Sequence, residues 1–192
     1  MMQFKVYGEL LLEQGKFKEA SLVYAQGIKH NEDKADLYYN LGIAYSMINE
    51  FSLAKECFNK TVEIDVENYN AYYRLGQISL LYRDIQAAEN YFKQSMDGEV
   101  ELKSYYQIAK IYMMKNNKEK AAIYLNKAIE NSKYCYELAK DEPIFYPIKK
   151  KIVEPKSDLK EVEESEKEKK ISEYLDNTYD LTRILNKKEK NK

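Results

Sequence analysis

Proline and glycine are scarce in this 192-residue chain, three and six residues respectively, and tryptophan is absent. So few helix breakers fit an almost wholly helical chain. There are two cysteines, Cys57 and Cys135, far apart and in no CxxC pattern, which read as reduced thiols of a cytosolic protein. The one histidine, His30, precedes Asn31-Glu32-Asp33 at a helix end, where an exposed role is expected. No GxGxxG, GxxxxGK[ST], HExxH or paired-cysteine metal spacing occurs. With one His and two scattered Cys the chain offers no catalytic constellation, so no enzyme activity, no metal and no cofactor is expected. No run approaches the ~18 apolar residues of a membrane span. The start Met1-Met2-Gln3-Phe4 runs straight into a helical pattern, leaving no room for a signal peptide, and a cytoplasmic location is expected. Neither sign of charge is in excess: the net charge is −1, with 33% charged residues. Nucleic acid and anionic membrane therefore have no electrostatic claim as partners.

What the chain has in quantity is tyrosine, nineteen of them, and many recur at a fixed interval. Tyr38-Tyr39-Asn40-Leu41-Gly42-Ile43-Ala44-Tyr45 returns 34 residues later as Tyr72-Tyr73-Arg74-Leu75-Gly76-Gln77-Ile78-Ser79, and 33 residues after that as Tyr105-Tyr106-Gln107-Ile108-Ala109-Lys110-Ile111-Tyr112. An earlier copy is Phe4-Lys5-Val6-Tyr7-Gly8-Glu9-Leu10-Leu11. Each copy is followed by an alanine (Ala20, Ala54, Ala88, Ala121), then Tyr24, Phe58, Phe92 or Leu125, then a small residue, Gly27, Thr61, Ser95 or Ala128. A period near 34 with constant internal spacing is an internal repeat.

The physical reading of one unit is a helix pair. Phe4, Tyr7, Gly8 and Leu11 share one helix face, and Ala20, Val23, Tyr24, Gly27 and Ile28 share another. Small residues at Gly8 and Ala20 let the two helices approach. Gly15-Lys16, Ile48-Asn49, Tyr82-Arg83 and Asn116-Asn117 mark the turns. A single pair cannot bury both faces, so pairs stack into a solenoid. Helices are expected at about 2–14, 17–30, 34–48, 51–63, 68–82, 85–97, 101–115 and 118–130.

The seven repeated columns over residues 1–135 resemble the tetratricopeptide repeat (TPR) family. Tyr7, Ser79, Glu32 and Val66 depart from the family's usual Leu, Tyr and Pro, and unit three is one residue short at Asp97-Gly98-Glu99. The resemblance implies an all-α fold, a right-handed α-solenoid of about four helix-turn-helix units, at 1–34, 35–68, 69–101 and 102–135. Beyond these, 136–155 is expected as a C-terminal cap. A helix from Asn131 to Lys140 is expected to lead into it, with Tyr134, Leu138 and also Cys135 turned onto unit four, followed by an apolar patch of Ile144-Phe145-Tyr146 and Ile148. Residues 156–192 read as a charged tail, either solvated helix or disordered linker over Ser157 to Lys170. Ile171, Tyr174, Leu175, Thr178, Leu181, Thr182 and Leu185 then recur at helical spacing as an amphipathic helix.

In such a stack, the resemblance implies, the first helix of each unit lines a concave groove. The groove positions here are Lys5, Tyr39, Tyr73 and Tyr106, then Glu9, Ile43, Gln77 and Lys110, then Leu12 with Glu13, Ser46 with Met47, Leu80 with Leu81, and Met113 with Met114. So many aromatic, aliphatic and methionine side chains suit an interaction surface. Some family members clamp the C-terminal carboxylate of a chaperone with two Lys, two Asn and one Arg. The matching positions are Lys5, Glu9, Asn40, Asn70 and Arg74, and Glu9 and Asn70 lack the family's Asn and Lys. Asn40 and Arg74 are left to bind a peptide backbone or an acidic side chain. The function implied is a non-catalytic adaptor or scaffold that holds a partner peptide or amphipathic helix. The alternative is a homo-oligomerisation module whose Ile171–Leu185 helix occupies its own or a neighbour's groove. On the first reading, Tyr73→Ala with Arg74→Ala weakens partner binding without unfolding the stack.

Overall fold

The computed structural model describes residues 3–30, 34–98, 100–130 and 132–155. Eight helices come in antiparallel pairs: α1 (Gln3–Glu13) with α2 (Phe17–Lys29), α3 (Lys34–Met47) with α4 (Phe51–Ile64), α5 (Tyr69–Leu81) with α6 (Ile85–Gln94), and α7 (Glu101–Met114) with α8 (Lys118–Glu130). Then come α9 (Lys133–Asp141) and a 3-10 segment, Pro143–Lys151. Among the described residues there is no strand. Each helix packs on the next in sequence, so the units stack as an all-helical solenoid.

The turn inside each pair repeats as strictly as the helices. Gly15, Asn49, Arg83 and Asn116 all have positive φ, between 55° and 72°. After each, the next amide reaches back five residues: Lys16 N to Leu11 O at 2.9 Å, Glu50 N to Tyr45 O at 2.9 Å, Asp84 N to Ser79 O at 2.9 Å, and Asn117 N to Tyr112 O at 2.8 Å. This left-handed helix stop suits glycine and, less well, asparagine; an arginine there is strained by its Cβ. Arg83→Gly is therefore expected to raise stability by ~0.5–1 kcal/mol, seen as a higher urea midpoint at unchanged slope.

Within each pair the crossing is set by one contact. A Cβ built on Gly8, Gly42 or Gly76 would lie 2.3, 2.7 and 2.7 Å from the rings of Tyr24, Phe58 and Phe92. The fourth pair has Ala109 at the same register, and there the buried residue opposite is Leu125 rather than an aromatic. Ala20, Ala54, Ala88 and Ala121 are fully buried beside these contacts. Where the next column carries a hydroxyl, the backbone absorbs it: Thr61 Oγ1 donates to Cys57 O at 3.0 Å and Ser95 Oγ to Phe92 O at 2.9 Å.

Between pairs, the first helix of each unit presents residues three, seven and ten of its repeat to the unit before. Leu37, Leu41 and Ala44, then Ala71, Leu75 and Ile78, then Ser104, Ile108 and Ile111 are buried there. On α1 the equivalent Tyr7 and Leu10 are 54% and 46% exposed, because no described helix packs across them. An ionic seam also joins units three and four. Glu89 of α6, 5% exposed, accepts from Tyr112 Oη at 2.9 Å and Lys93 Nζ at 2.6 Å and is paired with Lys115. Burial opposes its ionisation, but the hydrogen bonds from Lys115, Lys93 and Tyr112 outweigh that and hold the carboxyl down at about 2. A carboxyl depressed in the folded state stabilises above its unfolded value near 4.5, and the contribution is lost as pH falls to about 2. Glu89→Gln is expected to cost on the order of 2–3 kcal/mol at neutral pH. In urea melts that gap should close between pH 4.5 and 2.

At the C-terminal end, Cys135, Ala139, Phe145 and Ile148 join the core of units three and four. This corrects the phase expected for α9. Tyr134 and Leu138 are 50% and 42% exposed, while Cys135 and Ala139 are buried. Phe145 and Ile148 fill the space over α7 and α8, leaving room on α9 for small side chains only. The apolar patch expected around residue 145 is likewise split, with Tyr146 at 57% exposure and Ile144 half-buried. Ser132 starts α9, its hydroxyl accepting from Cys135 N at 3.1 Å. The charged stretch Ser157 to Lys170 and the amphipathic helix expected over Ile171 to Leu185 lie outside the described residues.

Candidate functional site on the inner face of the stack

The groove residues fall on the odd-numbered helices at one repeat interval, as the sequence spacing requires. Their environments differ along the stack. At the N-terminal end Lys5 and Glu9 of α1 are half-buried, and Lys5 is ion-paired with Asp36 of α3. On α3, Tyr39, Asn40 and Met47 are half-buried and Ile43 is buried. Tyr39 leans on Phe58 with ring centroids 5.7 Å apart.

On α5, Asn70 is exposed, whereas Tyr73, Arg74 and Gln77 are buried. Tyr73, 2% exposed, packs its ring 5.4 Å from Phe92. The Arg74 guanidinium lies 5.6 Å from the Tyr73 ring centroid and donates to Gln77 Oε1 at 2.8 Å. On α7, Tyr106 and Lys110 are buried, Met113 is half-buried and Met114 is 40% exposed.

Tyr106 and Lys110 are held by the chain's own C-terminal segment. The Tyr106 ring meets Phe145 edge-on at 5.4 Å and its hydroxyl donates to Glu142 Oε2 at 3.4 Å. Lys110 Nζ is 3.6 Å from Glu142 Oε1 and 6.0 Å from the Tyr106 centroid. Burial first, and then the Glu142 carboxylate, raise the Tyr106 phenol above its ordinary range. Glu142 lies outside the repeat, whose spacing therefore does not mark it. The available signal was an acidic residue placed just before Pro143 and an aromatic, following a repeat whose groove column holds a lysine.

These contacts change how two expected residues are to be probed. Tyr73 and Tyr106 stand in the groove column but are packed as core, so their substitution disturbs the stack itself. The expectation that Tyr73→Ala leaves the fold intact is corrected on this point: its ring fills space against Phe92. Asn70 and Met114 are exposed and Met47 and Met113 half-buried, so these four retain solvent access.

Other chemistry-bearing groups are structural. The His30 ring stacks on Phe4, centroids 5.3 Å apart and 10° from parallel. Cys57 and Cys135 are both buried, and burial pushes the Cys57 thiol up to about 12 and also raises Cys135, which disfavours the thiolate of each. Among the described residues no group of His, Cys, Asp and Glu could hold a metal ion, and no helix is long and apolar enough to cross a membrane.

Comparison with known proteins places this geometry. The family described as the TPR repeat matches residues 8–49, and that described as the tetratricopeptide repeat matches 35–68 and 102–139, together just over half the chain. BBSome complex member BBS4 of Mus musculus is 28% identical over 83 residues, 43% of this chain and 16% of BBS4. The chain thus spans about a sixth of that relative's length. The crystal structure of MamA superposes with a TM-score of 0.58 at 25% identity, over 64% of this chain and 72% of MamA. The crystal structure of YrrB, described as a TPR protein with an unusual peptide-binding site, gives a TM-score of 0.61 at 21% identity, over 72% of this chain and 73% of YrrB. Repeat spacing, glycine–aromatic crossings, turn geometry and these matches agree: the chain belongs to the tetratricopeptide repeat family.

Proposed function

We propose that this protein is a non-catalytic adaptor that holds a partner peptide or amphipathic helix against the inner faces of α3, α5 and α7. The observation that carries the reading is the continuous row on those faces. Tyr39, Asn40 and Met47 on α3 keep partial solvent access, Asn70 on α5 is exposed, and Met113 and Met114 follow on α7, with the buried Ile43, Tyr73, Arg74 and Gln77 packed beneath them. Aliphatic, aromatic and methionine surface supplies area and adapts to a ligand's side chains. Asn40 and Asn70 supply polar anchors for a peptide backbone, and the buried Arg74, bonded to Gln77, adds positive potential behind them. The buried Tyr73 and Tyr106 support that surface from behind. A peptide ligand is also what YrrB's unusual site takes by its description. The absence of nucleic acid and membrane from the partner set rests on the near-zero net charge.

The test uses positions the stack leaves solvated. Asn70→Asp with Met114→Glu places negative charge on the inner face of units three and four without touching the glycine–aromatic crossings. Binding of proteins captured by the wild type should fall at least ~10-fold in the double variant, with its melting temperature unchanged. Equal capture by both baits would move the binding surface off this face.

A further inference from the structure

We infer that two copies of this chain associate through the outer face of α1, packed antiparallel about a two-fold axis. The inference goes beyond the inner-face reading and uses a different surface.

The repeat itself shows that α1 departs from the other units on this face. At the sixth position of the repeat stands Val6, 59% exposed, where the other first helices carry the polar Asn40, Arg74 and Gln107. Beside it Tyr7 and Leu10 are half exposed, and the uncharged Gln3 and Gln14 prolong the face at either end. The end of a helical solenoid stays soluble when its outer face is polar. An apolar centre here marks a contact.

Three occupants compete for it, and the structure favours one. A helix stacked in the manner of the internal interfaces would seat the third and seventh positions tightly: a Cβ on Gly27 would lie 2.9 Å from Leu37 Cδ1. Those positions hold Leu37 and Leu41, Ala71 and Leu75, or Ser104 and Ile108, but on α1 they hold the longer, polar-tipped Gln3 and Tyr7. The opposite end of a second copy fits no better. Phe145 and Ile148 close it, and the exposed Tyr134 and Leu138 of α9 share their side with Glu137 and Asp141. The face does match itself. A two-fold axis between positions 8 and 9 sets Tyr7 against the second copy's Leu10 and Gln3 against its Gln14. Each tyrosine then covers a leucine and keeps its hydroxyl at the wet rim. The one charge at the margin, Glu13, falls at opposite ends of the pair, so like charges do not meet.

Such a contact closes on itself, so it gives a dimer and not a filament. It buries less than ~1,200 Å² in total, the range of weak, reversible association. On the inner-face reading, the dimer carries two inner faces and holds a partner with two recognised segments by both.

Sedimentation of the full-length chain over ~1–300 µM tests this. The mass should rise from one chain to two and no further. Val6→Glu/Leu10→Glu should weaken the dimer at least ~10-fold with unchanged far-UV circular dichroism, and Leu22→Glu, exposed on α2, should leave it intact. A monomer throughout, growth beyond two copies, or a dimer that survives the double variant would overturn the inference. So would a monomer whose α1 amides are protected only in complexes with captured proteins, which would give the face to another partner. Cross-linking tests the register without added charge. Oxidised glutathione should link an equal mixture of full-length Tyr7→Cys and Leu10→Cys at least ~5-fold faster than either variant alone, and equal rates would overturn the antiparallel pairing. Partner capture is separate: its loss in the Asn70/Met114 variant with the dimer intact supports the inner-face reading, and equal capture with the dimer intact removes that reading alone.

Discussion

Gly76→Ala should lower the stability of the stack by ~2–3 kcal/mol, although alanine is the better helix former by ~1 kcal/mol. The added Cβ would sit 2.7 Å from Phe92 Cε1, and Phe92 is fully buried, so neither helix can yield without opening the pair. The fourth unit shows how the same crossing tolerates a methyl group: Ala109 is matched by the shorter Leu125. Phe92→Leu alone should cost ~1–2 kcal/mol through the space it vacates, but in the Gly76→Ala chain it should restore part of the loss. Urea unfolding of the two single variants and the double variant measures this coupling directly. Simple addition of the two losses would mean that the ring and the new methyl do not compete for one space, and that something other than this contact sets the crossing.

Most of the stack was legible because the repeat states each contact several times over. The glycine and aromatic columns, the turn positions and the helix limits all follow from one spacing. The expected helix over 51–63 is found as Phe51–Ile64, and that over 101–115 as Glu101–Met114. Where a signal occurs once, the reading is weaker. The helix expected to reach 97 ends at Gln94, where the Ser95 hydroxyl turns to Phe92 O and to Ser104, 2.7 Å away. The largest apolar residues of α9 point to one phase, yet Phe145 and Ile148, later in the chain, decide what fits beneath it. The repeat register puts Tyr73 and Tyr106 in the groove wall. Register gives the direction of a side chain, but burial depends on what lies across from it. For Tyr106 that is Phe145 and Glu142, some forty residues on and outside the repeat. The sites of binding remain the proposal made above, with Asn70 and the methionines as its accessible reporters.

Phe145→Ala should give a second large loss, ~3–4 kcal/mol, and a localised one. The side chain is 1% exposed, and its removal uncovers the Tyr106 ring and loosens the Glu142 carboxylate that faces Tyr106 and Lys110. In a stack whose units touch only their neighbours, such a loss is transmitted through interfaces rather than shared by the whole chain. Hydrogen exchange should therefore quicken first in α7, α8 and α9 while α2 and α3 keep their wild-type rates. Tyr146→Ala, one residue away but 57% exposed, should stay within about 0.5 kcal/mol of wild type and serves as the control. Uniform acceleration across all helices would instead mean that the four units unfold as one cooperative body. That result would also bear on the groove, because a surface built on independent neighbours can reshape at one end while holding a ligand at the other, and a single cooperative body cannot.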